Sequence, residues 1–585
     1  MPNRLTRFIA ADARHKGEQN RLSVPALILL TIFAFASFAP GIASLPPTDR
    51  DESWFAQASK QMVESGNYVD IRLQDKPRYR KPVGIYWLQA ASVKLFSPDR
   101  LNEIWAYRLP SLASAVLVVL LTAMLGALLF TPLTGFIAAV MMASSIALNV
   151  EARLAKTDAA LLACALAAQL ALAKAWIAAQ AQLPQEKPFK TWGNAILFWT
   201  ALGIGILIKG PVIALIVGLT ILGLYISECR KQKNSRWLRI LHPLPGLLWT
   251  SLIVAPWLIA ISWHSNGAFL EQAAAHDFLA KLWQGQDRGL MPPGLHLAIF
   301  PLMFFPFALF AALAAPGIWH YRKDPNFRFC LSWILPVWIV FELSMTKLPH
   351  YLLPVYPAIA ILTSAVLTDA TRGTLLPAPS KAQTFLFALA TGIWLTLGAG
   401  IALLAGWLPF AMNGTPNLWQ GLAGAALIIA QGACLFFFLQ RNIAASVMSL
   451  AAGQLFFLTT LTAITVPELQ HIWHSRDIVQ TAQKAKPCAT LHLISATYNE
   501  PSLIFLAGTQ TLITPDGKRA AKNLMQNPCS LALIDQDHRE SFEIGFAQLG
   551  QKPILKATFE GRNPANGDRK ILSLYAAPPE TETIK

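Results

Sequence analysis

Residues 194–226 read NAILFWTALGIGILIKGPVIALIVGLTILGLYI, and Lys209 is the only charged side chain in this stretch. Its halves, 194–208 and 210–226, are each shorter than the about 20 residues that a straight membrane span needs, so one long helix is an alternative. Proline and glycine interrupt helices, and a lysine in mid-bilayer is costly. We therefore predict two helices, broken at Lys209-Gly210-Pro211.

The composition extends this interpretation to the whole chain. Of its 585 residues, 54% are hydrophobic and 14% charged, against about 25% charged in soluble domains. Disorder and a simple cytosolic enzyme are thereby excluded, and the six cysteines show no CxxC or Cys/His spacing that would indicate a metal or redox motif. With the two helices above, thirteen spans are predicted, the other apolar runs being 22–45, 108–130, 133–150, 157–180, 243–263, 294–316, 329–345, 350–368, 383–409, 417–439 and 443–466.

The charge distribution supports an odd number of spans. The basic residues before the first run predict an uncleaved first helix and a cytoplasmic N-terminus. The segments then assigned to the cytoplasm hold eighteen basic and six acidic residues, a net +12 of the chain's +16. Merging the two short helices would invert every later loop. The net charge thus reports orientation, and we expect no nucleic-acid partner.

Two long segments are predicted on the outer side, the loop 46–107 and the tail 467–585. The tail alternates apolar stretches with turn residues, which is typical of a small α/β domain with short strands. We therefore divide the chain into a membrane domain, 1–466, and a C-terminal domain, 467–585. Cys488 and Cys529 lie in the tail, where a disulfide and two free buried thiols both remain open.

The first outer loop carries two candidate sites. Asp51 and Glu52 begin an amphipathic helix, where carboxylates either cap the helix dipole or perform chemistry. The segment 78–87, RYRKPVGIYW, places three cations in four residues. It fits a lipid-headgroup patch or a site for a phosphate held near the bilayer surface.

Further ionisable residues occur where predicted spans meet the outer face. Several such clusters from distant parts of the chain predict a polar cavity at the outer membrane boundary, although a transporter vestibule would look similar. They are Glu151, Arg153, Lys156 and Asp158; Lys209; His276, Asp277 and Lys281; and Glu342, Lys347, His350 and Tyr351.

These motifs resemble a known family. Residues 49–87, DRDESWFAQASKQMVESGNYVDIRLQDKPRYRKPVGIYW, are similar to the first periplasmic loop of bacterial GT-C glycosyltransferases, in the group of lipid A aminoarabinose transferases and protein O-mannosyltransferases. Residues 152–162 (ARLAKTDAALL), 209–211 (KGP), 284–297 (QGQDRGLMPPGLHL) and 346–357 (TKLPHYLLPVYP) resemble further family segments in the same order. Thirteen spans followed by a periplasmic domain also resemble the aminoarabinose transferase plan.

The resemblance implies an enzyme of the bacterial inner membrane with a periplasmic C-terminus. It would transfer a sugar, with inversion, from a polyprenyl phosphate such as undecaprenyl phosphate. The acceptor would be lipopolysaccharide or lipid A, another glycan or a protein on the periplasmic face. Asp51, paired with Glu52, matches the family's catalytic aspartate and would act as general base on a hydroxyl acceptor. Asp158 matches a second acidic position that would orient acceptor or sugar.

The leaving phosphate needs cations. Arg80, Lys81, Lys209 and Lys347 would supply them, and His350 and Tyr351 match the segment that would contact the donor phosphate. Tyr79, Arg153 and His276 complete the predicted substrate-binding set.

The sequence also departs from the family pattern. Aminoarabinose transferases usually have a glutamate, which can take part in a metal site, where this chain has Arg80. We therefore assign no cofactor and no metal ligands. A divalent metal stays an alternative, for which His276 is the other candidate ligand, and lipid A phosphate becomes a weaker acceptor candidate.

Two alternatives remain. A transporter or flippase of a lipid-linked sugar would show paired internal repeats, which the hydropathy lacks, and charges near the bilayer midplane. A working C-terminal domain anchored by the spans would carry a catalytic constellation, and we recognise none in the tail.

Overall fold

The fold of the membrane domain is almost entirely helical. The computed structural model describes residues 8–10, 21–48, 51–180, 188–229, 236–272, 292–370, 380–469, 472–548, 550–562 and 569–578. The helices of the membrane domain are α1 (Val24–Phe38), α2 (Asp51–Ser65), α3 (Gly84–Phe96), α4 (Ile104–Leu129), α5 (Pro132–Ser144), α6 (Ile146–Ala152), α7 (Asp158–Gln180), α8 (Pro188–Lys209), α9 (Val212–Cys229), α10 (Arg236–Ile240), α11 (Pro243–His264), α12 (Ala268–Gln272), α13 (Leu295–Met303), α14 (Ala308–His320), α15 (Pro325–Leu343), α16 (Tyr356–Ala370), α17 (Lys381–Asn413), α18 (Leu418–Leu439), α19 (Ile443–Thr460) and α20 (Val466–Glu468). A 3-10 helix, Pro349–Val355, precedes α16, and a two-stranded ribbon, β1 (Arg72–Leu73) and β2 (Lys76–Pro77), lies in the first outer loop.

The helix lengths support a multi-span membrane protein. Within the described ranges, nine helices are long and apolar enough to cross a membrane, or eleven if the bent pairs α5–α6 and α13–α14 each form one span. Two shorter apolar helices, Val24–Phe38 and Val212–Glu228, account for the difference from the predicted thirteen, because every predicted run coincides with a helix or a bent pair. Large apolar side chains on the bundle exterior, such as Leu403 and Trp407 of α17, are exposed, as expected of surface facing lipid.

The helix break predicted at residues 209–211 is present. Helix α8 ends at Lys209 and α9 begins at Val212. Gly210 between them has φ +67°, a left-handed conformation that costs glycine little. The turn places the Lys209 ammonium at a helix end rather than within a continuous span.

The C-terminal domain is a mixed α/β fold, as predicted. Its sheet has the order β4-β3-β5-β7-β6, in which β3 runs parallel to β4 and β5 while β7 is antiparallel to β5 and β6. Cys488 and Cys529 form a disulfide, with Cα atoms 5.3 Å apart. The strands are β3 (His492–Ala496), β4 (Leu512–Thr514), β5 (Ser530–Asp535), β6 (Ile554–Arg562) and β7 (Arg569–Ala576), and the helices are α21 (His474–Ala485), α22 (Pro501–Ala507), α23 (Gly517–Gln526) and α24 (Arg539–Ala547).

The C-terminal domain docks on helix α2 of the first outer loop. Phe505 of α22 is fully buried against this loop and stacks edge-on with Tyr107, at 5.3 Å between ring centroids. The buried Lys60 Nζ donates to the Phe505 carbonyl at 3.1 Å, and Gln57 Nε2 donates to Thr509 Oγ1 at 2.8 Å. Burial lowers the pKa of Lys60 to about 8, although the Glu64 charge acts to raise it. The domain therefore fixes one side of the helix that begins at Asp51.

Candidate active site

The two acidic residues that open helix α2 have opposite environments. Asp51 is exposed, whereas the Glu52 side chain is completely buried. Arg108, at the start of α4, grips Glu52 with two hydrogen bonds, Nε to Oε1 at 2.7 Å and Nη2 to Oε2 at 2.9 Å. The backbone N–H groups of Thr48 and Ala155 also donate to this carboxylate. This network ties α2 to the membrane helices and holds Asp51 at the helix start.

The ionisation of Glu52 follows from this network. Burial alone would raise the pKa of its carboxyl group, because it disfavours the charged form. The charge and hydrogen bonds of Arg108, with the backbone donors, outweigh burial and hold the pKa of Glu52 below its usual value. Glu52 is therefore an ionised carboxylate whose hydrogen-bonding capacity is spent within the protein.

A mostly buried cluster of charges lies where α6, α7, α8 and the 3-10 helix meet. Lys209 Nζ donates to Asp158 Oδ1 at 2.5 Å, and Lys156 Nζ donates to Glu151 Oε1 at 3.3 Å. His350 bridges the two pairs, with its ring nitrogens 3.7 Å from Glu151 Oε1 and 3.6 Å from Asp158 Oδ1. The break after Lys209 and the end of α6 thus bring together groups that are far apart in sequence.

Asp51 belongs electrostatically to this charged cluster. Burial alone would lower the pKa of the Lys156 ammonium, but the charges of Glu151, Asp158 and Asp51 raise it above its ordinary value. The hydrogen bond from the Ala155 N–H to Glu52 places the start of α2, with the exposed Asp51, next to the residue that precedes Lys156.

The basic loop lies beside the helix break. A Cβ atom added to Gly84 would be 2.8 Å from the backbone carbonyl of Leu207, so only glycine permits this approach of α3 to the end of α8. One added to Gly210 would be 4.0 Å from Pro82 Cγ. The segment that carries Arg80 and Lys81, which precede Pro82, therefore lies beside the turn that follows Lys209.

Three predicted binding residues are engaged within the protein. The Tyr79 hydroxyl is buried and donates to Asp70 at 2.9 Å. Arg153 is buried and donates to the carbonyls of Pro40, Asn149 and Ser37, and burial lowers its pKa to about 9. Lys347 Nζ, also buried, donates to the Ser344 carbonyl at 2.9 Å.

The remaining predicted residues differ in their exposure and in their distance from the charged cluster. Tyr351 lies beside the cluster, with Lys209 Nζ 6.0 Å from its ring centroid. Arg80 is exposed and Lys81 is half-buried. His276 lies outside the described residues. In the described ranges, no group of three or more His, Cys, Asp or Glu side chains comes together in a way that could hold a metal ion.

Several residues that shape the site were given no catalytic or binding role in the sequence analysis. Glu151 lies in the same short segment as Asp158, and Arg108 is a charged residue at the end of a predicted span. Both therefore have the feature by which the other site residues were found, an ionisable side chain at a span end. Trp54 supports the guanidinium groups of Arg78 and Arg80, at 4.8 and 5.5 Å from its ring centroid. Only its helical spacing from Asp51 indicated that Trp54 shares this surface.

Comparison with known proteins supports the same interpretation. Residues 80–260 match the model of the family described as dolichyl-phosphate-mannose-protein mannosyltransferase. The undecaprenyl phosphate-alpha-4-amino-4-deoxy-L-arabinose arabinosyl transferase 2 of Pseudomonas fluorescens (strain Pf0-1) is 26% identical over 59% of this chain and 60% of the relative. The transferase of Yersinia enterocolitica is also 26% identical, over 59% of each protein. The matches thus span about three fifths of the relatives' length.

A solved structure extends the likeness to the whole fold. The crystal structure of ArnT from Cupriavidus metallidurans bound to undecaprenyl phosphate superposes with a TM-score of 0.69 at 18% sequence identity. The superposition covers 95% of this chain and 99% of that chain, including the C-terminal domain. The fold is thus that of a multi-span helical membrane protein with a C-terminal α/β domain. The chain is ArnT-like and homologous to the undecaprenyl-phosphate aminoarabinose transferases, so the predicted family resemblance is confirmed.

Proposed function

We propose that this protein transfers a sugar from a polyprenyl-phosphate donor to an acceptor on the periplasmic face of the bacterial inner membrane. One observation carries the proposal: Glu52, next to the exposed Asp51, is held by Arg108 and by the backbone N–H of Ala155, which precedes Lys156 in the cluster with Asp158 and Lys209. A carboxylate facing cations is what removal of a proton and departure of a phosphate together require. The undecaprenyl phosphate bound to the similar ArnT supports the choice of donor.

The reaction assigns a role to each group. Asp51 accepts the proton of the acceptor hydroxyl. The oxygen of that hydroxyl forms a bond to the anomeric carbon of the sugar. The bond from that carbon to the phosphate oxygen breaks, and the lipid phosphate leaves with the bonding electrons. Attack from the opposite face inverts the anomeric configuration. Lys209, with Lys81 and Arg80 on the adjoining loop, stabilises the leaving phosphate.

In this proposal, several predicted residues hold other groups in position and do not contact the reacting atoms. Glu52 holds the start of α2, because its oxygens are occupied by Arg108, Thr48 and Ala155. Asp158 orients Lys209 and, with His350 and Tyr351, forms the wall next to the sugar. Tyr79, Arg153 and Lys347 hold the surrounding backbone through the hydrogen bonds described above.

The decisive experiment replaces Asp51 with Asn. Lipid A and other surface glycans of a deletion strain are compared with the parent by mass spectrometry, which identifies the missing sugar and its acceptor. We expect wild-type protein to restore the mass of the modified molecule in the deletion strain. Asp51→Asn, expressed at a normal level, should not restore it. Asp99→Asn should restore it, because Asp99 is an exposed aspartate elsewhere in the loop. Full restoration by Asp51→Asn would overturn the assigned base. Movement of the lipid-linked sugar across vesicles without covalent transfer would instead favour a flippase.

The proposed orientation places the N-terminus in the cytoplasm and the C-terminal domain in the periplasm. The Cys488–Cys529 disulfide supports it, because disulfides persist in oxidising compartments. Alkaline phosphatase, which is active only in the periplasm, fused after residue 578 should be active. An inactive fusion at normal abundance would contradict this topology.

A further inference from the structure

Two arginines of the basic loop share one aromatic platform. The guanidinium carbon of Arg78 lies 4.8 Å from the Trp54 ring centroid and 5.6 Å from that of Phe55. The guanidinium carbon of Arg80 lies 5.5 Å from the same Trp54 ring. Two like charges are therefore held over a single side chain.

These charges lack an anionic partner in the part of the chain that the structure describes. No hydrogen bond or ion pair to the side chain of Arg78 or Arg80 is found there, and both guanidinium groups lie over aromatic rings. Arg78 is 8% exposed, and its Nε atom is buried without an acceptor. Burial of a cation is costly unless an anion or hydrogen-bond acceptors compensate it. The buried donor and the two like charges thus favour the binding of a negative group.

We propose that Arg78 and Arg80, stacked on Trp54, form a binding site for a phosphate group one helical turn from Asp51. Guanidinium groups are planar forks that pair with phosphate oxygens through two hydrogen bonds, and they stack well on tryptophan. Trp54 follows Asp51 by three residues in α2, so both side chains lie on one helix face. The phosphate belongs either to the polyprenyl donor or to the acceptor. This inference rests on the proposed function.

The test measures binding, so it does not depend on transfer. Full-length protein in detergent is titrated with undecaprenyl phosphate, with undecaprenol as the probe without phosphate, and with phosphorylated lipid A. The variants are Arg78→Met, Arg80→Met and Trp54→Leu. Arg80 is exposed, so its variant leaves the fold intact even if the buried Arg78 variant does not fold. Arg100→Met is the matched control, because Arg100 is an exposed arginine paired with Glu103 in the same loop.

We expect Arg80→Met to weaken binding of one phosphate-bearing probe about 10- to 100-fold, which is the loss expected when a hydrogen bond to a charged group is removed. Undecaprenol binding and the Arg100→Met control should not change. A loss for undecaprenyl phosphate supports the donor as source, and a loss for lipid A alone supports the acceptor. Unchanged binding of both probes, or an equal loss in Arg100→Met, would overturn the site and the role of Arg80, while transfer that depends on Asp51 stands. Wild-type protein that binds neither probe would overturn both.

Discussion

Replacement of Glu52 with Gln tests whether this residue is structural or catalytic. The Glu52 carboxylate accepts two hydrogen bonds from Arg108 and others from Thr48 and Ala155, and neither Glu52 nor Arg108 is exposed. Gln has nearly the same volume but no charge, and one of its terminal atoms is a donor that faces other donors. The substitution therefore leaves a buried arginine without its counterion.

The structure sets the magnitude. Removing one partner of a buried ion pair costs about 3–5 kcal/mol. Arg108 keeps hydrogen bonds to the carbonyls of Ile42, Leu45 and Pro46 in the variant, so we expect the lower end, about 3 kcal/mol. Arg108→Met should be more harmful, because it also leaves these three carbonyls without their donor. Both substitutions should also disturb the start of α2, where Asp51 lies. The rate of transfer should therefore fall together with the stability.

A thiol-reactive dye provides the assay. Cys330 and Cys434 are fully buried in the membrane domain, so their thiols react only as it unfolds. We expect Glu52→Gln to lower the apparent Tm by about 5 °C. Glu103→Gln, which breaks a surface pair with Arg100, should change it little. An unchanged apparent Tm combined with complete loss of transfer would refute the structural role and make Glu52 a catalytic group.

Three further predictions use the same preparations. The folded-state pKa of Glu52 is depressed, so its stabilisation is present above the usual value of 4.5 and is lost as pH falls. The Tm difference between wild type and Glu52→Gln should therefore narrow below about pH 4.5, and a gap that widens on acidification would contradict the ion pair. Gly84→Ala should reduce transfer and the apparent Tm, because its Cβ meets the Leu207 backbone at 2.8 Å, whereas Gly193→Ala, with open space around it, should do neither. Equal activity of these two variants would count against the close approach. Phe505→Ala should cost about 3–5 kcal/mol at the docking surface. Faster release of the C-terminal domain in limited proteolysis would show this, and an unchanged cleavage rate would argue that Phe505 does not hold the domain.

The helices and the boundary charges were predictable from local information. Apolar length located the spans, and the chemistry of Lys209-Gly210-Pro211 located the break, because both depend on neighbouring residues alone. Asp158 and Lys209 were singled out for the same reason, as charges at span ends. The structure then shows that these two are paired.

The choice of partner for each polar group could not be predicted. Tyr79 stands between Arg78 and Arg80 in the sequence, yet its hydroxyl is directed at Asp70 rather than at the site. Arg153 donates to three backbone carbonyls that come from α1, the segment after it and α6. Such pairings depend on how distant segments pack against each other, and residue type and spacing do not determine that packing.

The charges of the site separate into two groups with different consequences for a phosphate. Lys156 pairs with Glu151 and Lys209 with Asp158, so the buried cluster is close to neutral before any ligand arrives. The loop adds Arg78 and Arg80, whose guanidinium groups lie over aromatic rings and form no ion pair among the described residues. An incoming phosphate therefore gains most from the loop, while Lys209 can turn toward it only by loosening its contact with Asp158. A site of this kind binds the phosphate first through the loop and shifts Lys209 as negative charge develops on the leaving oxygen, which is where stabilisation accelerates transfer. Arg80→Met should thus act mainly on substrate affinity, and Lys209→Met mainly on kcat.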